Sequence, residues 1–195
     1  MKEDKAQVAK LGVQLKRLGL TWKVEAKKLD DANVELRVGR LPRPVQGGAR
    51  DMVNIADVGF GVSQTLPVVV ALLEAKPGQL VFIEQPEIHL HPRAQVAMAE
   101  LLADAARRGV MLVVETHSSS LLLAVQTLVA EGSLSPDLVK LHWFTRNESS
   151  GATKITSADL DEAGRFGDWP EDFADVSLEA EARYLDAAEA SLVKE

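Results

Sequence analysis

Three kinds of hydrophobic spacing follow one another along the chain. Val8, Leu11, Leu15 and Leu18 recur at helical intervals while Lys10, Lys16 and Arg17 fall elsewhere, which predicts an amphipathic helix over residues 4–18 stopped at Gly19. Residues 21–29 and 33–40 then alternate in part between apolar and polar, with Asp30-Asp31 between them, the pattern of a β-hairpin. Pro42, Pro44, Gly47 and Gly48 make 41–50 a loop.

The third kind is continuous. Residues 79–84 and 110–115 are apolar runs without alternation, which predicts strands buried on both faces of a parallel sheet. A short strand or extended lead-in over 52–58 precedes them, followed by an apolar helix over 63–75 in which Pro67 fits only the first turn. Pro92 opens the helix between the two runs, and Gly109 stops it. Ser118 to Ser120 can cap a further helix running to Glu131, with Gly132 after it. Strand, helix, strand, helix is the signature of right-handed parallel crossovers. Two more strands are expected over 138–145 and 153–156 around a turn at 147–151, and a helix rich in Ala and Glu over 177–193.

Composition changes this picture little. The chain has 195 residues, 46% hydrophobic and 26% charged, which is ordinary for a globular protein. The absence of cysteine excludes disulfides and thiolate metal sites. No apolar run is long enough to span a membrane and no signal peptide is evident, so a cytoplasmic protein without a membrane partner is expected. The net charge of -7 conceals a basic section over 1–50 and an acidic one over 158–195. These read first as solvated surfaces with mutual attraction. DNA binding by the basic section has no aromatic interleaving or recognised motif behind it.

The candidate chemistry sits at the ends of the continuous runs. The first ends in Glu84 and continues Gln85-Pro86-Glu87-Ile88-His89-Leu90-His91-Pro92; the second ends in Glu115 and continues Thr116-His117-Ser118. Two parallel strands would present these groups along one sheet edge, where open α/β sheets bind ligands. Upstream, Val58-Gly59-Phe60-Gly61-Val62-Ser63-Gln64 opens a helix. The histidines permit a different reading. His89, His91 and His117 with Glu84 and Glu87 form a candidate zinc or di-metal cluster for hydrolysis.

In order and spacing these motifs resemble the ABC-type ATPases. Glu84 stands at the Walker B acid, Pro86, Leu90 and His91 follow as in the D-loop, and Thr116-His117-Ser118 stands at the switch histidine. Glu-Pro-Glu-x-His-Leu-His-Pro is similar to the AAA-type, OLD-like and RecF/SMC-like branch, over residues 10–190. One predicted-ATPase subgroup with a small C-terminal domain of unknown function resembles this chain in Gly-Phe-Gly-Val-Ser-Gln and in the acidic Trp-Pro segment. The resemblance implies an α/β fold, the C-terminal lobe of a P-loop NTPase with parallel core strands. A helix and β-hairpin section (1–50), the ATPase lobe (51–157) and an acidic helical segment (158–195) are its expected divisions.

By the same resemblance, Gly61, Ser63 and Gln64 would cradle the nucleotide of a facing subunit, and Glu84 would hold Mg²⁺. Glu84, Gln85, Glu87 and His117 would be the catalytic group, Leu90 and His91 would lie at a dimer interface, and ATP would be the substrate. Two departures stand out. Gln85 occupies the usual place of the catalytic glutamate, for which Glu87 is a candidate substitute. No Gly-Lys pair occurs, so the chain holds no Walker A loop. An N-terminal Walker A lobe is therefore an implied partner, beside a second copy of the chain. A metal-dependent hydrolase and an inactive interaction module are the alternatives.

Overall fold

The computed structural model describes residues 2–40, 51–167 and 182–186, and divides the chain into two compact units, 1–128 and 129–195. In the first, helix α1 (Lys2–Arg17) leads into strands β1 (Val24–Lys28) and β2 (Val34–Gly39). The hairpin turn is built by Asp30, whose side chain accepts from the backbone amides of Ala32 and Asn33 and from the Asn33 amide group. The Asn33 side chain, then the Ala32 N–H, hold the Asp30 carboxyl below its usual range. Strand β3 (Met52–Asn54) joins β2 antiparallel, giving the order β1-β2-β3. The lead-in expected over 52–58 is thus the third strand of the hairpin sheet, followed by a single 3-10 turn at Ile55–Asp57.

Gly39 marks the tightest point of this sheet. A Cβ there would overlap the Trp22 indole, whose Nε1 donates to the buried Asp51 carboxylate at 2.8 Å. Gly39→Ala is expected to destabilise the first unit by about 1–3 kcal/mol, the usual cost of overpacking. Urea unfolding measures this, and an unchanged midpoint would mean that the indole has another place to go.

Helix α2 (Phe60–Glu74) starts three residues earlier than its sequence pattern predicts, so Pro67 stands in its interior rather than its first turn. The apolar run on both sides packs well enough to carry the helix through a residue that lacks the N–H for one rung. The far end is closed by Arg108, whose guanidinium donates to the carbonyls of Leu72 and Ala75. Strand β4 (Leu80–Glu84), helix α3 (Pro92–Arg107), strand β5 (Met111–Glu115) and helix α4 (Ser119–Ala130) follow in the expected order. β4 and β5 are adjacent and parallel, with Leu80 opposite Met111 and Glu84 opposite Glu115.

The core gathers Leu15 and Leu18 from α1, Val69 and Leu72 from α2, Ile83 from β4, Met98 and Ala105 from α3, and Leu121 from α4. All of it lies on one side of the β4–β5 pair. The other face carries Leu80, Phe82, Met111 and Val113 at 62, 58, 54 and 50% exposure. The expectation of strands buried on both faces is corrected here. The apolar residues are present on both faces, but among the described residues only one face has helices packed on it.

In the second unit β6 (Lys140–Arg146) and β7 (Thr153–Asp159) form an antiparallel hairpin; β6 begins two residues later than the pattern predicts and β7 runs three residues further. Its turn is held by the Asn147 side chain, which accepts from the amides of Ser149 and Ser150. The loop at 41–50 and most of the acidic helix expected over 177–193 lie outside the described residues; 182–186 are helical. Among the described residues no helix is long and apolar enough to cross a membrane.

Candidate functional site

Parallel register brings the two strand ends together. Glu84 and Glu115 are paired across β4 and β5, so Glu84, Gln85 and His117 emerge at one edge of the sheet. Both strand-end carboxylates are exposed, and the His117 Nε2 lies 4.0 Å from Glu115 Oε1. The chain leaves β4 abruptly. The Gln85 amide still donates to the Glu115 carbonyl at 2.8 Å, yet Gln85 itself adopts φ 45°. Ile88 N–H then donates to the Gln85 carbonyl, and Leu90 N–H to that of Glu87. His89 between them has φ 63°. Residues 85–90 are therefore two overlapping turns with a left-handed residue at each bend, a conformation that costs a non-glycine residue about 1–2 kcal/mol.

These bends decide where each motif residue goes. Pro86, Glu87 and Leu90 turn inward and are buried, while Ile88, His89 and His91 stay exposed. Leu90, expected with His91 at an interface, is instead a core residue, because the bend at His89 points it beneath the helices. His91 is the N-cap of α3, its Nδ1 accepting from Arg93 N–H at 3.3 Å. The His89 ring stacks against Phe60 with centroids 5.6 Å apart. Glu87 accepts a hydrogen bond from the backbone N–H of His117 at 2.8 Å.

The other strand end is equally ordered. Thr116 Oγ1 accepts from Ser118 N–H. Ser118 Oγ accepts from Leu121 N–H, capping α4, and donates to Gln95 Oε1 at 2.6 Å. The Gln95 amide group in turn donates to the Leu90 carbonyl at 3.0 Å. Gln95 thus ties both post-strand turns to α3. Sequence reading missed Gln95, whose only signal is its place one helical turn after His91.

The glycine-rich stretch opens α2 rather than preceding it. Gly59 is the N-cap, with Gly61, Ser63 and Gln64 in the first turn and a half. First-turn amides have no partner within a helix and suit phosphate oxygens. Ser63 Oγ donates to the Phe60 carbonyl at 3.2 Å, and Gln64 is exposed. A Cβ at Gly61 would stand 3.1 Å from the His89 carbonyl oxygen. The absence of a side chain there lets the start of α2 sit directly against the 85–90 turns.

The histidine cluster of the metal-hydrolase alternative is not assembled. Among the described residues no group of three or more His, Asp or Glu side chains is placed to share an ion. His89 turns toward Phe60 and His91 toward its own helix, so extended-chain convergence fails at the two bends. Elemental analysis of the purified chain is expected to find no stoichiometric zinc. About one zinc per chain, lost on His89→Ala, would reverse this reading.

Comparison with known proteins follows the same lines. Residues 19–124 match the family described as "AAA domain, putative AbiEii toxin, Type IV TA system". Over 49 residues the chain is 39% identical to the Old nuclease of Escherichia phage P2; that stretch is 25% of this chain and 8% of the nuclease. Among solved structures, one from work on ATP-driven dimerization and DNA-stimulated activation of SMC ATPases superposes with a TM-score of 0.58 at 14% identity, over 93% of this chain and 94% of that one. The Smc head domain of Pyrococcus yayanosii, with its coiled coil and joint, gives 0.58 at 13% identity over 84% of this chain and 28% of that one. An SmcHead bound to the C-winged helix domain of ScpA gives 0.56 at 13%, over 82% and 44%. The chain spans a small part of the P2 nuclease and less than half of these last two heads. The shared feature is the fold, the P-loop NTPase fold of SMC ATPase heads.

Proposed function

This chain belongs to the AAA-domain family matched over residues 19–124, and from that membership we propose that it is one lobe of an ATPase. In this reading it completes a Mg-ATP site and couples ATP binding or hydrolysis to dimerisation or to the action of a partner. The observation that carries the reading is the shared sheet edge, where Glu84 and His117 emerge from adjacent parallel strands. Phosphoryl transfer asks a protein mainly for positioning and charge stabilisation, and a rigid strand end supplies both.

The roles follow from what each side chain can reach. Glu84 is exposed at the end of β4 with Glu115 beside it, a set of hard oxygen donors that fits Mg²⁺. Bound there, the ion would supply charge neutralisation at the phosphates. His117 presents an exposed imidazole on a backbone fixed at its amide, suited to donate toward a terminal phosphate or an attacking water. Gln85 orients a water without taking its proton. The α2 opening, with Gly61, Ser63 and Gln64, would serve the nucleotide of a second copy. His91, exposed at the α3 cap, would face that copy.

Two features support a companion lobe. No Gly-Lys pair occurs in the sequence, so a Walker A loop would have to be supplied from outside it. The bare apolar face of β4 and β5 supports the same conclusion, because parallel sheets are covered on both faces. Titration of Mg-ATP into the chain, alone and joined by a Walker A lobe, tests the reading. Tight binding by the chain alone would overturn it.

A further inference from the structure

We infer that Glu87 is a positioning residue, the latch that holds the strained 85–90 turns and the His117 backbone in one arrangement, rather than a base that activates water. The inference deepens the proposed ATP site and rests on it only for its functional meaning. Three observations carry it.

The first is connectivity. Glu87 Oε1 accepts from His117 N–H at 2.8 Å, across a gap of thirty residues in the chain. It joins the turn after β4 directly to the turn after β5, beside the indirect bridge that Gln95 makes between Leu90 and Ser118. A hydrogen bond from an amide to a carboxylate is among the stronger ones a protein makes.

The second is burial. Glu87 is 9% exposed, and its Oε2 is buried without a hydrogen-bond partner. A general base needs an oxygen within reach of the proton it takes, directly or through one water. Oε1 is engaged by a backbone amide and Oε2 is sealed. An exposed surface glutamate would cost nothing at this position, whereas burial of a carboxylate with one oxygen unmet is expensive. Among the described contacts, what offsets that cost is the bond of Oε1 to the His117 amide.

The third is strain. Gln85 at φ 45° and His89 at φ 63° flank Glu87 on either side. Left-handed backbone at non-glycine residues persists only where the surroundings over-determine it. On the Gln85 side the surroundings are the hydrogen bond that its N–H donates to the Glu115 carbonyl; in the middle they are Glu87. Release of Glu87 would let the turns relax and free the His117 amide together. The position of the imidazole is therefore set from the turn that follows the other strand.

Amide hydrogen exchange and nitrogen–proton correlation spectra of the full chain test this without nucleotide. In Glu87→Gln the side-chain oxygen still accepts, so the His117 amide stays protected but its proton resonance moves upfield, away from a charged acceptor. In Glu87→Ala the His117 amide should exchange roughly tenfold faster or more, the worth of a hydrogen bond to a charged group, while Phe82 and Ile83 in β4 keep their protection. Should Glu87→Ala fail to fold, Glu87→Gln decides alone. Its His117 proton must shift while protection is kept. An unmoved His117 resonance in Glu87→Gln, or equal loss of protection throughout β4 and β5 in Glu87→Ala, would overturn the latch. Because no ATP enters the measurement, its failure leaves the ATP-site proposal standing, and weak nucleotide binding leaves the latch standing.

Discussion

The chain alone is expected to bind Mg-ATP weakly and to turn it over at the background rate. In P-loop enzymes much of the nucleotide affinity comes from the amides and lysine of the Walker A loop, which hold the β- and γ-phosphates. This sequence supplies neither. In the proposed reading Glu84 and His117 would reach at most the metal and the terminal phosphate, and the α2 opening would act across a dimer rather than within one chain. Joined to a Walker A lobe, fused or as a separate chain, binding should be restored. If hydrolysis returns with it, Glu84→Ala and His117→Ala should each lower the rate by roughly a hundredfold or more, the scale of a lost positioned catalytic group. Gln85→Glu should leave the rate unchanged or raise it, since a carboxylate can take the proton that glutamine only orients. Isothermal titration and phosphate release, with and without the lobe, measure all of this. Micromolar affinity by the chain alone would show that the phosphate site lies elsewhere.

Phe82→Asp is expected to separate docking from folding. Phe82 sits mid-strand on the bare face with Leu80, Met111 and Val113 around it, more than half exposed. Within the isolated chain a substitution on this face should change stability by no more than about 0.5 kcal/mol, as exposed substitutions usually do. Against a covering lobe the same residue becomes a central apolar anchor. Loss of such an anchor costs about 2 kcal/mol or more, which is roughly thirty-fold in affinity. Urea unfolding of the chain and titration against the lobe give the two numbers. Large destabilisation of the chain by itself would mean that this face is already covered from within.

The elements were legible where periodicity and punctuation agreed. Pro92 and Gly109 bracketed α3, and Asp30 marked the hairpin turn it builds. The pairing of Glu84 with Glu115 was implied by two apolar runs that each end in a carboxylate, joined by one helix. Other features needed three dimensions. A continuous apolar run says that a strand can be buried on both faces, not that this chain contains the cover for both. Pro67 argues locally for a helix start, and only the packing of Val62, Val69 and Leu72 shows that the helix passes through it. Most of the site's internal order hangs on the bends at Gln85 and His89. Glutamine does not advertise positive φ and histidine does so only by a modest enrichment, so the inward turn of Glu87 and Leu90 and the divergence of the histidines could not be read from spacing.

Pro67 has a mechanical meaning as well. It lacks the amide that would bond the Ser63 carbonyl, and its ring crowds that same oxygen. One rung is missing between the opening turn of α2, which carries Gly61 and Ser63, and the later turns that anchor Val69 and Leu72 in the core. A helix bends most easily where a rung is absent. The opening end, where the proposed phosphate contacts lie, is thus the more compliant part of the helix. A load arriving at Gly61 would be taken up as flexure at Pro67, sparing the hydrophobic interior like a shaft behind a coupling.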